Sequence, residues 1–124
     1  MRLRGRAWSE SRDYDVLAVG ELNVDLILSG VPSVPEFGEE VLAEEVVKRL
    51  GGSTANFAVF CAQLGLRTAF VAKVGRDDFG DFLIEQLEQW GLGSQHVTRD
   101  SELATGLTVS LSGAEDRAFV THVG

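Results

Sequence analysis

The sequence predicts an α/β fold with a mostly parallel sheet, and three observations carry that expectation. Val16–Val19 is a continuous apolar run, the pattern of a strand buried on both faces. The stretch from Gly51 to Gly80, GGSTANFAVFCAQLGLRTAFVAKVGRDDFG, passes from a glycine pair into an apolar helix, turns at Gly65 and crosses a β-branched strand. Two apolar strands joined by a helix predict a right-handed β-α-β crossover. A length of 124 residues fits one domain, with room for a core but little for a two-substrate enzyme.

Residues 1–13 are polar and basic without periodicity. Arg2, Arg4, Arg6 and Arg12 are partly offset by Glu10 and Asp13, which predicts a mobile leader. No apolar run follows that would make it a secretory signal. Tyr14–Leu28, YDVLAVGELNVDLIL, begins with the apolar strand, breaks at Gly20 and then alternates. Asn23 and Asp25 are two apart and so share a strand face. That face is either solvated or a binding surface. Ser29–Gly38 holds both prolines and reads as a connection. In Glu39–Leu50, EEVLAEEVVKRL, Val41, Leu42, Val46 and Leu50 fall on one helical stripe, with Glu45 and Arg49 at pair spacing.

The glycine pair Gly51-Gly52 removes two Cβ atoms where a strand hands over to a helix, letting backbone N–H groups approach a ligand. Ser53 or Thr54 would cap that helix, and the Asn56 amide lies in its first turn. Donors and acceptors thus converge at the end of a strand, the usual ligand position in open α/β sheets. Thr54–Leu64 is apolar nearly all round, which predicts a helix buried on most sides and ended by Gly65. Thr68–Val74 is the next strand. Asp78–Trp90 is a second helix, with Asp77 or Asp78 suiting its N-terminal dipole and Gly91 stopping it. Thr105–Leu111 and Arg117–Val123 alternate around a glycine-containing connector and read as a hairpin.

Composition excludes several classes. A net charge of −8 argues against a nucleic acid held by bulk attraction, though phosphates can still be held locally by backbone N–H groups. No apolar run approaches the roughly 20 residues that span a bilayer, so no membrane partner is expected. The lone Cys61 can form no internal disulfide, which fits a cytoplasmic protein, and its apolar neighbours make it a buried, inert thiol. Asp77 and Asp78 are too few for a cation site, and His96 and His122 are isolated, so no metal is expected in this stretch. Gly75 and Gly80 have phosphate-loop spacing, but Asp81 and Phe82 stand where lysine and Ser/Thr are required. A dinucleotide fingerprint is missing after the first strand, where the sequence reads Gly20-Glu21-Leu22-Asn23.

GG-x-x-x-N-x-A, then L-G, a strand and V-G-x-D-x-x-G, resembles the N-terminal signature of the ribokinase-like (PfkB-type) carbohydrate kinases. Gly20-x-x-Asn23-x-Asp25 is similar to the family element whose aspartate accepts hydrogen bonds from sugar hydroxyls, and Thr105-Gly106 to a common S/T-G. The resemblance implies a ribokinase-like Rossmann-type sheet, incomplete here, with a small β lid that takes Glu39–Leu50 as strand against its helical periodicity. It implies that residues 14–124 are the N-terminal, sugar-binding part. Asn23, Asp25, Gly51, Gly52, Ser53 and Asn56 would form the sugar site, and a homodimer through the lid is an expected partner.

The implied reaction moves the ATP γ-phosphoryl group to a sugar hydroxyl, with Mg2+ spreading charge and an aspartate taking the proton. In the family that base lies in a later G-A-G-D element, and the nucleotide is held later still. No catalytic residue is therefore expected in this stretch, and neither ATP nor Mg2+ is expected on it alone. A non-catalytic sugar-binding or regulatory module is the second reading, and an unrelated Rossmann-like binding domain the third.

Overall fold

A computed structural model describes residues 13–124. The leader expected over residues 1–13 lies, but for Asp13, outside the described residues. Seven strands and two helices follow in the order β1 (Val16–Val19), β2 (Asn23–Ser29), β3 (Glu45–Gly51), α1 (Ser53–Gln63), β4 (Thr68–Gly75), α2 (Asp78–Gln89), β5 (Val97–Asp100), β6 (Leu107–Ser112) and β7 (Arg117–His122). They form two sheets. One is three-stranded and parallel in the order β1-β4-β5; the other is four-stranded and mixed in the order β3-β2-β6-β7. The α/β class expected from the sequence is the observed one.

Both helices feed one core. Ala55 and Ala58 of α1 and Leu83 and Leu87 of α2 cluster with Ala18, Phe70, Ala72 and Val74 of the parallel sheet and with Leu22 and Val24 at the root of β2. Leu83 and Leu87 are fully buried, worth roughly 1.5–3 kcal/mol each. The alternation of β4, with Phe70, Ala72 and Val74 inward, puts both helices on a single face.

The expectation that β1 is buried on both faces is corrected here. Ala18 is buried, but Leu17 and Val19 are 68% and 65% exposed. The helices cover the face of Ala18, and among the described residues nothing covers the other. Likewise α1 buries only its Ala55–Ala58–Cys61 stripe and leaves Phe57, Phe60 and Leu64 exposed. So much apolar surface has a consequence for residues 1–124 expressed alone: they are expected to self-associate. Size-exclusion chromatography with light scattering checks this, and a monodisperse monomer at micromolar concentration would contradict it.

Glu45–Gly51 is strand rather than helix, as the lid expectation required, while residues 39–44 are irregular. Pairing decides it. All seven residues of β3 pair antiparallel with β2 from Asn23↔Gly51 to Ser29↔Glu45, and these ladder bonds outweigh the helical spacing of Val46 and Leu50. Lys48 lies 4.2 Å above the Phe82 ring of α2, tying this sheet to the body. Among the described residues no helix is long and apolar enough to cross a membrane.

Candidate functional site

Strand pairing assembles the site. Asn23 is the first residue of β2 and sits opposite Gly51 on β3; Asp25 sits opposite Arg49. On the other side Asp25 is level with Thr108 of β6, which pairs with Thr121 of β7. Residues directly across a ladder share a face, so Arg49, Asp25, Thr108 and Thr121 form one row across four strands. Thr108 and Thr121 join their hydroxyls at 3.0 Å. Beside this row Asn23 sits between Gly51 and Gly106; a Cβ on Gly106 would fall on the Asn23 Oδ1, so that glycine makes room for the amide, while the place of a Gly51 Cβ is taken by Asp25.

The two members of the glycine pair serve different ends. A Cβ on Gly51 would fall 2.5 Å from the Asp25 carboxylate, so its absence makes the seat for that group. Gly52 is the N-cap of α1 with φ 98° and ψ 128°, a conformation that side chains resist. This corrects the expected capping by Ser53 or Thr54: no side chain caps α1, and Ser53 is already helical and exposed. The first N–H groups of α1 therefore face outward without a side-chain acceptor.

Asp25 is half-buried and makes no side-chain hydrogen bond or ion pair among the described residues. Burial pushes its pKa above the ordinary carboxylate value. An acceptor with open lone pairs beside a double-glycine backbone can bind vicinal hydroxyls.

A cavity of about 420 Å³ opens where β1 and β4 reach their carboxyl ends. Gly20, Leu22 and Asn23 form one wall, Lys73 and Val74 the floor, and Leu103, Ala104 and Gly106 another wall. Thr108, Thr121 and His122 close it from the four-stranded sheet. The position obeys the rule for open α/β sheets. Of the six candidate residues, Asn23 lines this cavity; Gly51 is its partner across the ladder and Asp25 lies two residues along β2, whereas Gly52 and Ser53, at the start of α1, lie outside its lining. Asn56 lines a separate depression of about 320 Å³ with Arg49, Leu50, Gln86 and Trp90.

Lys73, Thr108 and Thr121 were not singled out from the sequence, and His122 was weighed there only as an isolated histidine without metal spacing. The alternation of the 105–123 hairpin would have placed the two threonines had it been registered against Asp25. Lys73 is an isolated cation in a strand, paired with Asp100 at 3.2 Å.

Below the cavity, Asp77 caps α2, accepting from Gly80 N–H at 2.8 Å. Burial works to raise its pKa, but hydrogen bonds from Thr105 and Gly80 and the Arg99 charge outweigh that and hold it below the ordinary value of 3.8. The unfolded chain thus binds this proton more readily than the folded one. The stabilisation is present above the ordinary value and is lost as pH falls through the lower, folded pKa. Melting full-length protein between about pH 5 and pH 2 should show wild type losing more Tm than Asp77→Asn, the curves converging in acid. Parallel curves would contradict it.

A parallel sheet with a strand-end cavity, a second sheet beside it and an open carboxylate next to a double glycine define an α/β protein with a candidate ligand site at its strand ends. The pfkB family carbohydrate kinase model matches residues 13–124, and the chain belongs to that family. Mouse ribokinase is 36% identical over 119 residues, 96% of this chain and 36% of that protein. An Arabidopsis thaliana ribokinase complexed with ribose and ATP superposes with a TM-score of 0.81 at 25% identity, covering 88% of this chain and 36% of that one. Halothermothrix orenii fructokinase gives 0.73 at 26% identity, covering 88% and 37%. The chain spans about a third of the length of these relatives.

Proposed function

We propose that these residues are the sugar-recognition part of a carbohydrate kinase whose full-length protein transfers the γ-phosphoryl group of ATP to a sugar hydroxyl. The observation that carries this is the Asp25 carboxylate, unpartnered among the described residues, seated on Gly51 and level with the Thr108–Thr121 hydroxyls. In this reading Asp25 accepts from two sugar hydroxyls and Asn23 contacts a third from within the cavity. The backbone at Gly51, Gly52 and Ser53 donates, and Asn56 is assigned to the sugar from the neighbouring depression that it shares with Arg49, the residue opposite Asp25.

The residues present do not fit the nucleotide or its metal. The Gly75–Gly80 turn lacks the phosphate-loop lysine, and among the described residues no group of three His, Cys, Asp or Glu could hold a metal ion. The 124 residues also contain no G-A-G-D element for the proton-accepting aspartate. The reading therefore assigns ATP, Mg2+ and the base to the remainder of the full-length protein. Its setting is the cytoplasm, with a second copy joined through the exposed Val46 and Val120, which share the face of the four-stranded sheet opposite to Asp25.

The test is ATP turnover by full-length protein with D-ribose, D-fructose and a panel of other sugars and nucleosides, alongside titration calorimetry. Sugar-dependent turnover is expected, and none from residues 1–124 alone. Sugar binding without turnover in the full-length protein would leave the non-catalytic module. Neither binding nor turnover across the panel would overturn the reading.

A further inference from the structure

Asp77 does more than cap a helix. Its Oδ1 accepts from Gly80 N–H, which satisfies the cap, but also from the Thr105 hydroxyl at 2.6 Å. Its Oδ2 accepts from Thr105 N–H at 2.8 Å. The Thr105 hydroxyl in turn accepts from Gly75 N–H at 2.9 Å. Thr105 is 3% exposed, so water does not compete for these bonds. A Cβ on Gly75 would fall 2.5 Å from the Leu103 carbonyl oxygen and 2.6 Å from Asp77 Oδ2, so the backbone at the end of β4 is pressed against the same knot.

The knot sits where it can govern the cavity. Thr105 precedes Leu107, the first residue of β6, by two positions, and its neighbours Leu103, Ala104 and Gly106 are cavity wall. From Leu107 onward β6 runs parallel to β2 and places Thr108 level with Asp25. The point at which β6 leaves the body thus sets the wall and the row of hydroxyls together.

We propose that Asp77 is a positioning residue for the acceptor sugar: acting through Thr105, it fixes the Leu103–Gly106 wall and the placing of Thr108 beside Asp25. The proposal rests on the reading of this cavity as the acceptor site. Chemistry separates it from plain capping. Asparagine caps a helix about as well as aspartate. With its Oδ1 on Gly80, however, an asparagine turns its Nδ2 donor toward the Thr105 N–H, and two donors face each other. Asp77→Asn therefore keeps the cap and breaks the knot, while Thr105→Val removes the hydroxyl at nearly constant shape and Thr105→Ser retains it.

The variants are made in full-length protein and read by calorimetry and steady-state kinetics with D-ribose and D-fructose, and by amide hydrogen exchange. Asp77→Asn and Thr105→Val should raise the Kd and KM of the bound sugar about 10- to 100-fold, as a misplaced wall does. The KM for ATP should stay within about twofold, the mark of a change confined to the acceptor. Thr105→Ser should behave as wild type. Exchange should accelerate at residues 104–107 and not in the first turn of α2. Wild-type sugar affinity in both knot-breaking variants would overturn the proposal, leaving Asp77 a cap. Should Asp77→Asn fail to fold, the Thr105→Val and Thr105→Ser pair decides alone. If wild type binds neither sugar, the functional reading fails, and exchange still decides the knot: acceleration at residues 104–107 supports it and unchanged exchange overturns it.

Discussion

Asp25→Ala is expected to weaken sugar binding by the full-length protein at least roughly 10- to 150-fold, since each hydrogen bond to a charged acceptor is worth about 1.5–3 kcal/mol. A second effect should accompany it with the opposite sign. Burial raises the pKa of Asp25, so the folded state holds this proton more tightly than the unfolded chain does. The stabilisation linked to that proton is complete below the ordinary value of 3.8 and disappears as pH rises through the folded pKa. At neutral pH the bare carboxylate is a cost to the fold. Asp25→Asn should therefore raise Tm at pH 7, by an amount that shrinks toward pH 4, while sugar affinity falls. Calorimetric titration and melting of the same samples check both halves. Unchanged affinity in Asp25→Ala would remove the residue from the site, and a lower Tm for Asp25→Asn at pH 7 would remove the buried-charge account.

Such opposition is expected where a group is kept for a ligand rather than for the fold. It contrasts with Asp77, a carboxylate of similar sequence prominence whose lone pairs are filled by Gly80 and Thr105 and whose pKa moves the other way. Both aspartates stand in the motifs that resemble the family. Only the hydrogen bonds tell which is addressed to a partner outside the chain.

Those bonds mark the limit of what could be read from the sequence. Local signals placed α2 within one residue of its observed end and its acidic start at Asp77 or Asp78, of which Asp77 is the cap, because dipole and apolar spacing are written within a dozen residues. They placed β4 for the same reason. Residues 45–51 went the other way. Their spacing is helical, and the strand exists only because β2, some twenty residues earlier, offers a ladder. The bare faces of β1 and α1 were equally hidden, since an apolar run states what must be covered and not which segment covers it. In the site, Asn23 and Asp25 were legible as a face and Gly51-Gly52 as an opening. That Gly51 answers to a side chain and Gly52 to a backbone angle was not, because both facts depend on how β2 lies against β3.

That division makes Gly52→Val the sharpest test of the architecture. At φ 98° a valine is a steric outlier, and its Cβ would fall 2.7 Å from the carbonyl oxygen of Glu21, a backbone atom that cannot swing aside as a side chain would. Relief requires the chain to move between β3 and α1 or between β1 and β2, and both joints border Asn23. Strain of this kind costs about 1–3 kcal/mol before the collision is counted. At roughly 2–4 °C of Tm per kcal/mol in a domain of 150–250 residues, a fall on the order of 5–10 °C is expected. Sugar binding should be lost outright, because the seat of Asp25 on Gly51 and the uncapped start of α1 shift together. Gly51→Ala should separate the two functions. The three atoms nearest its Cβ all belong to the Asp25 carboxylate, a side-chain end that can rotate away, so affinity should fall with little change in Tm. Melting and calorimetry of both variants decide the matter, and wild-type Tm and affinity in Gly52→Val would reduce the glycine pair to a flexible joint.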